Sequence, residues 1–486
     1  MRVLFSADTP LSLTSYPSVI RELGERGHDV VVAIHEEREI SWLDRLFTEI
    51  SAPHVTVERA VAPTGDRWLE LAADVRSSLD LFQFLGTRFN DTYRARAWRR
   101  APRAAAALGR SRIAQSRLGR HTLAAALRVV ERAIPTNPQI ERYLEEKRPD
   151  VVLFTPYLGL RSIQPDFLRA AQALGLRTAI CVKSWDNLSS KSVVRPIPDR
   201  LFVWNEIQRD EAERLHGITP DRVAVTGAQC FDEWFTWPPR PRDEFLTRAG
   251  LDPNRPYVLY ACSVPWTGQS EIGFVRRWVA AIRAAGGAPA DAQVLVRPHP
   301  KRAADWAEAD VSDLPGVVVF PADGHAPTDD PSKADFYDSI YHSAAVVALN
   351  TSVMIEAAIV GRSVLTILDP EFERVQLGTL HFAYLLEIGG GLLRVAHTVE
   401  EHAGQLAEAL AGTDGAEART KAFVAHFVRP HGLDVPATPL FVDEIERLVA
   451  AAAPSPQRTP APLLPLRPLL APLATRAARY SPVADT

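Results

Sequence analysis

The chain has 486 residues, 46% hydrophobic and 23% charged, with a net charge of −4; this asks for two or three domains at roughly 150 residues each and excludes a disordered chain or a general nucleic-acid binder. Its cysteines, Cys181, Cys230 and Cys262, stand far apart in no metal-ligand spacing, which excludes a disulfide scaffold or thiolate zinc site and fits a reducing cytoplasm. The opening MRVLFSADTP lacks a signal-peptide core and no apolar run nears the ~18 residues of a membrane span, so any membrane contact is expected to be peripheral, at the inner face.

Strand and helix patterns alternate from the start. RVLFS (2–6) reads as a strand, SYPSVIRELGERG (15–27) as a helix and HDVVVAI (28–34) as a second strand. Between about 66 and 145 the character changes: from Thr92 to Arg132 there are eleven arginines and one acid, Glu131, in Ala- and Leu-rich sequence that favours helix. Alternation resumes with DVVLFTP (150–156), the helix PDFLRAAQALG (165–175), RTAICVKS (177–184), DRLFVWN (199–205), a helix over 206–216 and DRVAVTG (221–227). After the proline-rich WPPRPRDEF (237–245) it restarts with PYVLYAC (256–262), AQVLVRP (292–298), GVVVF (316–320), AAVVALN (344–350) and SVLTIL (363–368).

Such alternation is the pattern of parallel sheets with crossover helices. The predicted fold class is therefore α/β, with two doubly wound, Rossmann-like domains. The first spans 1–236 and contains the helical, Arg-rich insertion; the second spans 246–430, after a linker at 237–245. A closing helix falls within 431–453, and the tail over 454–486, with eight prolines, is expected to be extended or disordered.

Three strand ends carry candidate chemistry. In VVALNTSVMIEAAIVGRSVL (346–365) an apolar strand stops at Asn350, Thr351 and Ser352, and a helix follows with Glu356 about one turn in. A helix N-terminus offers unpaired N–H groups and partial positive charge, so these small residues are expected to cap it and cradle a phosphate, with Glu356 accepting from ribose hydroxyls. An ordinary N-cap has the same pattern. VLVRPHP (294–300) brings Arg297 and His299 to a strand's carboxyl edge, where open α/β sheets bind ligands. SWDNLSSK (184–191) places Trp185, Asp186 and Lys191 at a strand end of the first domain, where an interdomain cleft would open. There Asp186 is either a general base toward a hydroxyl or a turn residue bonded to nearby amides. The pair Asp329 and Asp330, in GHAPTDDPSKAD, reads as solvated surface.

Taken together, these motifs resemble the GT-B glycosyltransferases, and over about 150–450 their order is similar to that of the CDP-glycerol glycerophosphotransferases of teichoic-acid synthesis. Trp185-Asp186-Asn187 with Lys191 stands where that family has Trp-His-Gly and a lysine. VTGAQCFDEW (225–234), VLYACSVPW (258–266), His299-Pro300, Leu349-Asn350-Thr351-Ser352 and HGLDVPATPLFVDEI (431–445) match its later motifs in turn. The sequence departs from the family in having Asp186 for the presumed base histidine and Asn350 for an aspartate, and the first half shares only RVLFS and LGERGHDVV with GT-B proteins.

The resemblance implies a transferase that moves a sugar from a nucleoside-diphosphate sugar to a hydroxyl of a surface glycan, lipid or small molecule, needing no metal or cofactor beyond the donor and inverting the anomeric centre. The second domain would hold the donor through Arg297, His299, Asn350, Thr351, Ser352 and Glu356. The first would serve the acceptor, with Asp186 as base, Trp185 and Lys191 beside it, and Asp8 or Tyr16 as the base should Asp186 be a turn residue. The Arg-rich insertion would meet an anionic lipid surface. The alternatives are glycerophosphoryl transfer from CDP-glycerol, a nucleotide-sugar 2-epimerase, which needs acidic and histidine groups around the sugar, and a non-catalytic nucleotide-binding relative.

Overall fold

The computed structural model describes residues 1–35, 43–86, 91–157, 162–263, 270–327 and 329–480. The end of the VLYACSVPW motif, from Val264 to Trp266, and the tail beyond 480 with Pro482 lie outside them. The chain divides into two compact units, Met1–Cys230 with Pro436–Thr486, and Phe231–Val435.

The first unit is built on seven strands, β1 (Arg2–Ala7), β2 (Asp29–Ile34), β3 (Val55–Arg59), β4 (Val151–Thr155), β5 (Arg177–Cys181), β6 (Arg200–Val203) and β7 (Val223–Val225). They lie in the order β3-β2-β1-β4-β5-β6-β7, every pair parallel. Central strands are continuous apolar runs because both faces are covered. One face of β1, through Val3 and Phe5, packs with Val19, Leu23, Phe441 and Ile445; the other, through Leu4, shares a core with Ile140, Leu144, Phe167 and Leu168. Strand β3, at the sheet's edge, has three exposed residues among five and no apolar run, which is why the sequence pattern passes over it.

The linker and the tail differ from expectation. The helix Ala437–Ala450 belongs to the first unit, where it packs on the helix Pro17–Glu25, and the chain enters the second unit at Phe231, so the proline-rich 237–245 lies inside that unit. The tail is not extended: Leu466–Tyr480 is helical. Its leucine and alanine spacing outweighs its prolines, since Leu470 and Ala474 bury against Leu71, Val75 and Leu79 of the helix Arg67–Phe84. Pro468 falls in the first turn, where an N–H has no helical partner to lose, leaving Pro472 as the one interior break. The insertion's described residues form a series of helices joined by short turns, from Arg67–Phe84 to Pro138–Lys147.

The second unit has six parallel strands, β8 (Tyr257–Ala261), β9 (Gln293–Arg297), β10 (Val317–Val319), β11 (Ala345–Ala348), β12 (Ser363–Ile367) and β13 (Arg394–Ala396), in the order β10-β9-β8-β11-β12-β13. The order reverses between β8 and β11, and in doubly wound sheets the crevice beyond the carboxyl ends at such a reversal takes the ligand. Among the described residues no helix is long and apolar enough to cross a membrane.

Candidate functional site

Register brings the motifs of the second unit together. Ala261 at the end of β8 pairs with Arg297 on one side and Ala348 on the other, so β9, β8 and β11 end level beside the reversal point. Segments 297–299 and 349–352, about fifty residues apart in sequence, thus leave adjacent strand ends.

Arg297 is only 6% exposed, and its guanidinium stacks over the ring of Phe336 at 4.7 Å. Its Nη1 is buried without a hydrogen-bond partner. Burial pulls its pKa down to about 10, against the opposing fields of Asp335 and Glu356. Asp335 is itself bound by Arg248 at 2.9 Å and by Arg240, so it reaches Arg297 as a field rather than as a ligand. Glu356, in the helix Val353–Ile359, has Oε2 buried without a partner; desolvation raises its pKa to about 8, the nearby Arg297 offsetting only part. No hydrogen bond joins the two. Two opposite groups therefore share one pocket of field, each with an unmatched polar atom.

The neighbours of this pair differ from expectation in detail. Ser352 occupies the N-cap position but its side chain caps nothing, so the anticipated side-chain cap is absent and the Thr351 and Ser352 hydroxyls are left uncommitted. Asn350 is not available to an anion: its side-chain amide donates to the Val375 carbonyl and meets His381 Nε2 at 3.4 Å, and its backbone N–H donates to Ser263 Oγ at 3.2 Å. It ties the strand end down. His299 Nδ1 accepts from the Lys301 N–H at 3.1 Å, which leaves the proton of the neutral ring on Nε2. Burial, with Lys301 and Arg302 adding, holds its pKa near 4, so it is neutral at physiological pH.

A support network that no sequence pattern announces lies behind Asn350. Glu271, 5% exposed, accepts from the Ser263 N–H at 2.9 Å and from the Tyr260 hydroxyl at 2.9 Å, and Ser263 in turn receives Asn350. Burial raises the Glu271 pKa. Reading along the chain, Glu271 is an unremarkable acid before a helix; only the β8–β11 pairing gives it a role.

The first unit's strand-end turn is arranged otherwise. Asp186 Oδ1 accepts from Ser184 Oγ at 2.6 Å and Oδ2 from Ser190 Oγ at 2.7 Å, with Lys191 Nζ at 3.9 Å. Trp185, expected on the acceptor side, is 6% exposed and is a core side chain. Nor are the reserve bases open. Tyr16 is fully buried, which pushes its pKa well up, and Asp8 Oδ1 accepts from Ser162 Oγ at 2.7 Å. A residue that the sequence reading missed is Lys183, just past β5: it donates to the Leu11 carbonyl, and burial, with Lys191 adding, brings its pKa down to about 8.

Asp329 and Asp330 are both exposed, as read from the sequence, and the Asp329 side chain also caps the helix Asp330–Tyr341 through the Ser332 N–H at 2.7 Å. Among the described residues no group of three or more His, Cys, Asp or Glu side chains is placed to hold a metal ion, and all three cysteines are free thiols.

No protein-family model matches the sequence, and no curated protein matches it. Solved structures do. The chain is similar to a Listeria monocytogenes protein described as a candidate UDP-N-acetylglucosamine 2-epimerase, at 13% identity over 93% of this chain and 98% of that one, with a TM-score of 0.55. It is similar to the UDP-GlcNAc 2-epimerase of Neisseria meningitidis bound to UDP-GlcNAc, at 13% identity over 92% and 100%, TM-score 0.51. A glycosyltransferase from Rickettsia africae ESF-5 matches at 9% identity over 93% and 99%, TM-score 0.51. At such identities the likeness establishes the fold, which is the two-domain α/β architecture of GT-B type, as the motifs implied. The resemblance to CDP-glycerol glycerophosphotransferases rests on motif order alone.

Proposed function

We propose that the chain is a nucleoside-diphosphate-sugar enzyme whose second unit holds the nucleotide, with Arg297 on the diphosphate, Glu356 on the ribose, and His299, Thr351 and Ser352 around them. One observation carries this reading: Arg297 Nη1 and Glu356 Oε2 are buried and unpartnered beside the reversal of strand order. Buried polar groups are almost always matched, and a guanidinium lacking an acceptor beside a carboxyl lacking a donor asks for a ligand that supplies both. A diphosphate next to a ribose does. Near pH 7 a Glu356 carboxyl with a pKa near 8 is mostly neutral, which with Asn350 keeps negative charge away from the incoming phosphates.

Epimerisation at C2 of the sugar is the reaction with the better support, because the 2-epimerases of Listeria and Neisseria share the fold across nearly the whole chain, the latter holding UDP-GlcNAc. The state of Asp186 weighs the same way, since the carboxylate that a transferase would use as base is held by two hydroxyls of its own turn. Glycosyl transfer to a hydroxyl, inverting and with no metal, is the second reading; the Rickettsia glycosyltransferase and the motif order favour it. The two separate cleanly in D2O with UDP-GlcNAc and no acceptor. Epimerisation through the C2 proton yields the C2 epimer carrying deuterium at that carbon, read by NMR. A donor that stays unchanged until a hydroxyl acceptor is added supports transfer, and nucleotide binding with neither outcome makes the chain a non-catalytic relative.

A further inference from the structure

The insertion and the C-terminal helix play no part in the nucleotide reading, yet among the described residues they carry the most exposed large apolar side chains. Six of the eleven large hydrophobic side chains that stand exposed among the described residues lie there, led by Leu118 at 79%, Leu469 at 72% and Ile113 at 59%. These are not strays from a loosely packed core. On the helix Arg117–Ala133, Leu127 and Val130 face the insertion's own core and Leu118 and Val129 face out; on Leu466–Tyr480, Leu470 and Ala474 face in while Leu469 and Leu473, four residues apart, face out.

The display is rigid as well as apolar. Between the helices Arg112–Gln115 and Arg117–Ala133, Ser116 Oγ accepts from the Gly119 N–H at 3.0 Å and Arg120 donates to the Gln115 carbonyl at 2.7 Å, fixing the turn that flanks Ile113 and Leu118. Charge points the same way. From Thr92 to Arg132 the only acid, Glu131, is 8% exposed, so no carboxylate of that stretch offsets outward arginines such as Arg110, Arg112 and Arg117.

We propose that this face docks on an anionic lipid surface, its leucines and isoleucine entering the interface while the arginines meet headgroup phosphates. The chemistry selects that partner. A nucleic acid would use the arginines and leave the leucines in water, and a second copy of the chain would bring one cationic face against another. A neutral bilayer would give the arginines nothing.

The test is sedimentation of the full chain with phosphatidylcholine vesicles, with and without phosphatidylglycerol, alongside Ile113→Asp/Leu118→Asp and Arg112→Gln/Arg117→Gln. All four side chains are exposed, so melting curves should match the parent, and UDP affinity in each variant should be unaltered, which separates this inference from the nucleotide reading. Expected is binding to anionic vesicles only, weakened by salt, lowered roughly thirtyfold by the arginine pair at about fivefold for each cation, and lost in the aspartate pair. Equal binding to neutral vesicles, no binding to either, or unchanged binding in the aspartate pair would overturn it. So would a duplex DNA that binds and displaces the vesicles, or a dimer in sedimentation velocity that Leu118→Asp dissolves.

Discussion

The two sheet edges treat their charged side chains in opposite ways. In the second unit Arg297 and Glu356 are buried with polar atoms that the chain leaves unmatched; in the first, Asp186 has both carboxylate oxygens taken by the hydroxyls of Ser184 and Ser190. A carboxylate satisfied by its own turn stabilises the fold and needs no ligand. Buried groups without partners lower stability, and chains keep such defects where a ligand completes them. On the proposed reading, this difference puts nucleotide binding at the Arg297 edge and leaves the Asp186 turn to local structure.

The sharpest way to break this contrast is Arg297→Met, which keeps the bulk and removes the cation. Nucleoside-diphosphate affinity should fall by about a hundredfold or more in calorimetric titration, since each charge-assisted hydrogen bond contributes about 1.5–3 kcal/mol. The ligand-free variant should melt at or above the parent temperature, because an unmatched buried charge has gone. An unchanged affinity would remove the site from this edge.

Asp186→Asn should do the reverse. Two hydrogen bonds to a charged acceptor become bonds to a neutral one, and stability should drop by about 1–3 kcal/mol in denaturant unfolding, with UDP affinity and conversion of the donor close to the parent. A loss of ~10²–10⁴ in turnover at normal affinity would instead make Asp186 the general base of a transferase.

A smaller effect follows from Glu356. Its folded pKa near 8 lies above the ordinary carboxyl value, so between about pH 4.5 and pH 8 the folded state holds a proton that the unfolded chain has released. Stability of the ligand-free protein should therefore decline as pH rises through that window, by at most about 1.4 kcal/mol per unit from this group. Glu356→Gln should flatten the decline, seen in melting temperatures from pH 5 to 8; identical slopes in parent and variant would mean that Glu356 titrates normally. The least effect belongs to His299→Ala. With its pKa near 4 the ring is neutral, so losing it should weaken nucleotide binding less than about tenfold and by the same factor at pH 6 and pH 8.

Most of the architecture was legible because parallel strands buried on both faces are unbroken apolar runs, as in VVLFT and QVLVR. The edge strands β3 and β13 escaped since a half-solvated short strand has no such run. The helix Ala437–Ala450 showed an apolar face, but nothing in its sequence states which sheet that face covers. At the site, Arg297, His299 and Glu356 could be found from their places at strand ends and one turn into a helix. The states of those residues could not. That Asn350 binds Val375 and Ser263, that Glu271 sits behind it, and that Ser184 and Ser190 close on Asp186 depend on register and turn geometry, which adjacent letters do not encode.

Hydrogen exchange of the full chain with and without saturating UDP measures the contrast directly, because it reads both edges in one experiment. Slowed exchange is expected in peptides covering 297–302 and 350–356, with none over 183–192. Protection confined to 183–192, with the Arg297 and Glu356 peptides unchanged, would contradict the proposed reading.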